Sequence, residues 1–473
     1  MNTKETPRGA AHVTAPEDRV PTGQKLAYGG GACADNLMQN GINTMANPVF
    51  NMTLGVDPGL ISTALSLPRL WDAFVDPFVG TSSDNTRGRW GRRKPYILAG
   101  SVLCGLFFAL VWWVPRGWSD GAYFAHFLAM SLLFFTAYAV FVVPFTALGM
   151  EMSPDYHERT RVLAYRTFFG SVSGIGMAWM LWLAQLSIFK DTHDGMRWVG
   201  IGTGLVIALL GMLPALFVRE RTRVAVAKQR KLPFWGSLRE AVAVKPFRTL
   251  LYAVVLMAIG LFMVNGLGYY ISIYYVYGGD IRASSAVLGW SGTLYHVSNM
   301  VSLPLITLAS TRFGKRRTLI ACLCLPLVGT LSKWFCYHPD YPYLQLVPVL
   351  LMGPGMAAFW TLIGSMVADV CDVDELQNGV RREATLGAVH AWAFKVGLSV
   401  ALLLSGFVLT WSGFHAEAGG AQADGVLTTM RVLFTFFPAV ALVITIWLIM
   451  RFPITEQSAY DTRRELEKRR GAG

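Results

Sequence analysis

Twelve apolar runs divide the chain between residues 26 and 452: 26–54, 58–80, 95–115, 121–150, 163–188, 197–218, 249–277, 284–309, 318–337, 341–370, 384–411 and 427–452. Runs of about 20 residues are what an α-helix needs to cross roughly 30 Å of hydrocarbon. Within a bilayer every backbone N–H and C=O must be bonded inside the protein, so only helices and closed barrels span it. A barrel would need short alternating strands, and the runs do not alternate. Of the 473 residues only 15% are charged and 53% are hydrophobic, against about 25% charged in soluble domains. An all-α integral membrane protein with twelve transmembrane helices is therefore expected.

The net charge of +12 would suit nucleic acid if it were concentrated. With both termini placed in the cytoplasm, the outer loops hold only Arg116, Lys190, Arg197, Arg282, Lys333 and Arg431. Most other basic residues then face inward, which is the positive-inside pattern. The charge reads as topology and contact with anionic lipid, not as a nucleic-acid surface. A polar stretch at 219–248 separates six runs from six, and RWGRRKP (89–95) is echoed by RFGKRRT (312–318). Two six-helix bundles, 25–218 and 249–452, follow, with the central loop between them. Residues 1–24 are expected to be a disordered cytoplasmic tail and 453–473 a basic one. Such parallel repeats describe the major facilitator superfamily, whose substrate sites lie between the halves near the midplane.

Charge inside these runs is the second constraint. GLISTALSLPRLWDAFVDPFVG (59–80) carries Arg69, Asp72 and Asp76 at i, i+3 and i+7, one helical face, bracketed by Pro68 and Pro77. Asp35, Arg166 and Lys395 fall in the first, fifth and eleventh runs. Ionisable groups at membrane depth cost several kcal/mol and face cavities or partners rather than lipid. A structural ion-pair cluster would satisfy that rule, and Lys395 could also snorkel to an interface. Two carboxylates one turn apart are harder to explain structurally, because they repel unless a cation sits beside them. If Lys395 faces Asp72 and Asp76, their formal sum is −1, which one sodium ion or proton would complete. Arg69 either joins that sum or balances Asp35.

Other patterns are weaker. GIGTG (200–204) lacks a preceding strand and reads as small-residue helix packing. Tyr270, Tyr274 and Tyr277 form a stripe in which Tyr277 suits an interfacial belt and the deeper Tyr270 a substrate contact. His296 and His390 are single histidines in apolar runs. Cys322 and Cys324 are too close for a zinc knuckle. No nucleophile–base, HExxH or phosphate-loop pattern points to an enzyme, and no cofactor is implied.

RLWDAFVDPFVG (69–80), RGRWGRRKPYILAG (87–100), KLAYGGG (25–31), FWTLIGSMVADVCDVDE (359–375) and GVRRE (379–383) resemble, in order, the glycoside–pentoside–hexuronide:cation symporter family of the major facilitator superfamily. The resemblance implies that Asp72 and Asp76 form a cation site beside Lys395, and that Trp360 stacks on a substrate ring. Arg166 is similar to the family's fifth-span arginine, shifted by one place. Asn36 stands where melibiose-type members have an aspartate that binds sugar hydroxyls; Val142 and Thr146 replace an aspartate and a tryptophan; His390-Ala391 replaces a polar pair. A galactoside and sodium are thereby both put in question, and a site short of oxygen ligands suits a proton. Asp35, Asn36, Thr146, Arg166, Trp360, Tyr270 and His390 are the expected substrate contacts. The function implied is cation-coupled import of a sugar, glycoside or sugar acid by a monomer in a bacterial inner membrane. A lysolipid-like amphiphile symporter, as in vertebrate relatives, and a non-transporting receptor or assembly factor are the alternatives.

Overall fold

The computed structural model describes residues 16–153, 155–220, 239, 241–379, 383–414, 422 and 425–471. The regular elements among them are all helical. Twelve long helices follow the twelve apolar runs: α1 (Thr22–Ala46), α2 (Pro58–Asn85), α3 (Lys94–Trp112), α4 (Asp120–Glu151), α5 (Tyr156–Ala178, continued by a short turn at Met180–Ala184), α6 (Thr192–Phe217), α7 (Lys245–Tyr270), α8 (Ile281–Phe313), α9 (Lys315–Cys336), α10 (Leu346–Asn378), α11 (Glu383–Trp411) and α12 (Val426–Met450). Among the described residues, nine helical segments are long and apolar enough to cross a membrane. The other three long helices, α1, α2 and α8, have 25, 28 and 33 residues and carry more polar side chains along their length.

Polar caps set several ends. Asp57 accepts from the N–H groups of Gly59 and Leu60 at the start of α2, with Pro58 in the first turn. Asp155 caps α5, so that helix begins well before its apolar run. Asp191 and Asp280 cap α6 and α8 in the same way. Each side-chain oxygen satisfies N–H groups that the first turn leaves without helical partners.

Helices α1–α6 enclose one core, rich in Phe108, Trp112, Phe134, Phe141 and Phe145. Helices α7–α12 enclose two, around Phe247 and Phe359 and around Tyr270 and Phe434. The halves meet where α2 packs along α11 and α5 along α8. The repeated basic loops have matching geometry. Gly91 and Gly314 both adopt positive φ, 94° and 81°, which glycine alone tolerates freely. Glu220, just after α6, accepts from the backbone N–H groups of Arg92, Arg93 and Lys94. Glu456, just after α12, lies against Gly314.

The side-chain bonds joining the halves between described residues lie at mid-membrane or toward the end of the bundle away from the termini. Ser399 Oγ donates to the Ser66 carbonyl at 2.9 Å, Trp179 Nε1 to Thr293 Oγ1 at 2.9 Å, and the Tyr270 hydroxyl to Asn51 Oδ1 at 2.7 Å. At the same end Gly406 lies against the Pro58 carbonyl and Ser62. The first helix of each half finishes there in a π-helical turn, Asn47–Asn51 after α1 and Ile271–Val276 after α7.

Both expected tails depart from plain disorder where they are described. Residues 1–15 lie outside the described residues, but Val20 is buried, its N–H donates to Glu158 at 3.0 Å, and Ser153 donates to the Asp18 carbonyl. The basic C-terminal stretch forms a helix, α13 (Glu456–Gly471), which packs on α10. Its charge hid one anchoring residue, the buried Leu466. Most of the central loop, 221–238 and residue 240, lies outside the described residues.

A Cβ at Gly100 would fall 2.6 and 2.8 Å from the backbone N and Cα of Phe141. Gly100→Val is expected to destabilise the N-terminal half by about 1–3 kcal/mol, read as a lower apparent melting temperature of the purified protein. Unchanged melting would contradict this helix packing.

Candidate functional site

The helical spacing of Asp72 and Asp76 places both carboxylates on the face of α2 that meets α11. Lys395 Nζ donates to Asp72 Oδ2 at 2.9 Å and to Asp76 Oδ2 at 2.5 Å. The Asp72 side chain is 1% exposed, that of Asp76 28% and that of Lys395 25%. Lys395 therefore does not snorkel: its ammonium is held between two carboxylates of the other half. The second oxygen of each carboxylate, Oδ1, is buried without a hydrogen-bond partner. Three formal charges sum to −1, and two unpartnered oxygens lie one helical turn apart. Such oxygens carry an uncompensated desolvation cost that a bound cation would relieve.

Arg69 departs from the expected pairing. It is buried, it donates from Nη2 to the Gln39 carbonyl of α1, and its guanidinium lies 4.3 Å from the centre of the Phe135 ring. Asp35 is taken by others: Arg166 donates to Oδ2 at 3.0 Å and the Tyr138 hydroxyl to Oδ1 at 3.0 Å. Among the described residues Arg69 forms no ion pair with a carboxylate. A cation over an aromatic ring gains about 0.5–2 kcal/mol, and a backbone carbonyl adds a charged hydrogen bond. Arg69 thus adds its charge one turn from Asp72 without competing with Lys395 for it. Asp35, Asp72 and Asp76 balance Arg69, Arg166 and Lys395, so the six groups sum formally to zero.

The other expected contacts separate. Trp360 on α10 is 40% exposed and meets Phe394 edge-on at 4.9 Å; Phe394 in turn meets Phe262 of α7 at 6.2 Å. Asn36 and Thr146 are half-buried, the former with Oδ1 unpartnered. His390 is half-buried on α11 with Nε2 unpartnered. Tyr270 is 1% exposed and its hydroxyl is committed to Asn51. That bond ties α7 to the turn after α1 at the end of the bundle away from the termini, so the Tyr270 hydroxyl is already partnered in this conformation.

One feature escaped the sequence reading. From Ala32 to Asn47, along α1 and into the turn that follows it, the half-buried residues are Asp35, Asn36, Gln39, Asn40, Asn43, Thr44 and Asn47, and every residue between them is buried. They recur every four residues, which the 3.6-residue period could have shown. Neutral amides stand out less than charges in an apolar run.

The chain matches the model of the MFS/sugar transport protein family over residues 27–456, and it belongs to that family. The resemblance carried by its motifs is borne out. The Glucuronide carrier protein homolog of Escherichia coli is 24% identical, with 88% of this chain and 89% of that one covered. The Isoprimeverose transporter of Lactiplantibacillus pentosus is 22% identical, with 90% and 87% covered. In fold the chain is similar to a bacterial homolog of the human lysosomal transporter Spinster, solved inward-facing and unoccupied, with TM-score 0.65, 14% identity and 92% and 98% of the two chains covered.

Lys395→Met would leave Asp72 and Asp76 facing each other without a cation. Its apparent melting temperature is expected to fall, and Asp72→Asn in the same chain to restore part of the loss, with a coupling of about 1 kcal/mol or more. Strictly additive effects would contradict the bridge. Tyr270→Phe removes the hydroxyl bonded to Asn51, and labelling of a cysteine placed at Ser405 from the far side of the membrane is expected to accelerate; an unchanged rate would show that this bond does not help close that end.

Proposed function

We infer that the protein is a cation-coupled secondary symporter that imports a sugar, glycoside or sugar acid by rocking its two halves about a central site. One observation carries the reading: a lysine of one half is held by two carboxylates of the other, each with an oxygen to spare. The cation, a proton or a sodium ion, is taken at Asp72 and Asp76. It competes with the Lys395 ammonium for the same oxygens. When Lys395 lets go, the midpoint link between α2 and α11 is lost, and the state open at the far end gains stability relative to the state described here. Substrate enters between the halves, where Trp360 offers a ring face and Asp35–Arg166 a polar pair. Because ion and substrate favour the same rearrangement, each raises the affinity of the other by the same factor.

The basic residues on the side of the termini support a cytoplasmic location for both ends in a bacterial inner membrane. In that orientation the Tyr270–Asn51 and Trp179–Thr293 bonds join the halves on the outer side. A single chain supplies both halves and the whole site, so the working unit is a monomer in the lipid bilayer.

Reconstituted protein is expected to accumulate glycosides against their gradient when a proton or sodium gradient is imposed. Asp72→Asn is expected to lose that accumulation while still exchanging labelled sugar across the membrane at equal concentrations. Concentrative uptake by the variant at the wild-type rate would overturn the assignment.

A further inference from the structure

The side chains of the polar face that begins at Asp35 do not touch Asp72, Asp76 or Lys395 in any bond between described residues. From Asp35 to Asn47 there are twelve steps along the helix, about 18 Å at 1.5 Å per step. Its amides are set by their own helix. Asn40 Nδ2 donates to the Asn36 carbonyl and Asn43 Nδ2 to the Gln39 carbonyl, both at 3.4 Å, and Thr44 Oγ1 to the Asn40 carbonyl at 2.9 Å. Asn40 and Asn43 thus turn their amide donors back onto the backbone. Three amide oxygens along this face, on Asn36, Asn43 and Asn47, are buried with no donor. A buried acceptor without a donor is unfavourable, and three along one face of one helix make a row that hydroxyl donors would satisfy.

The facing wall is aromatic. The register between α1 and α7 is fixed at two points: Tyr270 bonds Asn51, and a Cβ at Gly266 would lie 3.5 Å from Asn47 Nδ2. The two helices run in parallel, so the next step of four sets Phe262 level with Asn43. Phe262 packs against the N-terminal core and meets Phe394, which meets Trp360. A row of rings thus runs from α7 through α11 to α10 opposite the amides.

We propose that these two walls form an elongated site for a glycoside of at least two sugar rings, with the second ring read by Asn40, Asn43 and Asn47. A sugar ring has an apolar C–H face, which suits an aromatic side chain, and hydroxyls that both donate and accept, which suit amides. A single ring fills only part of an 18 Å face. An acyl chain would leave the buried amide oxygens unpaired. The proposal rests on the symporter reading and names its substrate class.

The test is binding of D-xylose, D-glucose, D-galactose, xylobiose, cellobiose and melibiose to the purified full-length protein, by calorimetric titration and thermal stabilisation. At least one disaccharide is expected to bind about tenfold tighter than its component monosaccharides, the effect of one or two additional well-placed hydrogen bonds. Asn43→Ala is expected to bring the disaccharide-to-monosaccharide affinity ratio close to one, and Asn40→Ala serves if the first variant does not fold. Sugar binding with an unchanged ratio in both variants would overturn the elongated site and leave the symporter reading intact. Failure of the wild-type protein to bind any of the six sugars would overturn both.

Discussion

A charge buried at membrane depth must be answered by an opposite charge, by fixed dipoles or by water, and the arrangement of Lys395 between Asp72 and Asp76 meets that constraint with opposite charge. The two carboxylates lie on one half of the molecule and the ammonium on the other. Their attraction therefore does more than neutralise a helix. It ties α2 to α11, the pair through which the halves have their most extensive contact. A cation that competes for the same oxygens acts on the contact between the halves directly, with no relay through intervening elements. Breaking a buried pair is costly when one member is simply removed, by about 3–5 kcal/mol, but not when an equivalent charge takes its place. Exchange of one cation for another is the physical basis on which an ion can loosen the bundle without destabilising it.

The surrounding charges keep that exchange local. Asp35 and Arg166 satisfy each other, with Tyr138 on the second oxygen of Asp35. Arg69 is spent on the Gln39 carbonyl and the Phe135 ring. Neither arginine reaches the carboxylates that hold Lys395, so that lysine can leave without another side chain taking over its bonds. The zero formal sum of the six groups means that an arriving monovalent ion adds one positive charge to the centre unless the substrate carries a negative one. Transport of a neutral sugar would then move net charge across the membrane.

Much of this was legible in the sequence, for identifiable reasons. Helices of the bilayer announce themselves by length, and carboxylates within them by their cost, so Asp72, Asp76, Lys395 and the two-bundle plan could be read before any coordinates. The paired glycines Gly91 and Gly314 were visible as a repeated loop. Arg69 was not resolved, because a guanidinium can be satisfied by a carbonyl and a ring, partners that leave no trace in charge counting. Tyr270, just before the π-helical turn that follows α7, reads as deep enough to meet substrate, but its hydroxyl is bonded to Asn51, a partnership between the halves that the sequence does not display. The seven-residue polar face of α1 was present as a four-residue rhythm of amides, and it passed unnoticed because neutral side chains lower hydropathy only slightly. Helix α13 was hidden by its own charge, since a mostly solvated helix needs only a residue such as Leu466 to dock.

If a cation at Asp72 and Asp76 displaces Lys395, the end of the bundle away from the termini is freed. A distance measured between spin labels at Leu60 of α2 and Leu404 of α11, with the native cysteines replaced, reads that end directly. The distance is expected to lengthen when sodium is added or the pH is lowered, and not to change when both aspartates are replaced by asparagine. A distance that stays the same at saturating cation in the otherwise unaltered site would contradict this displacement.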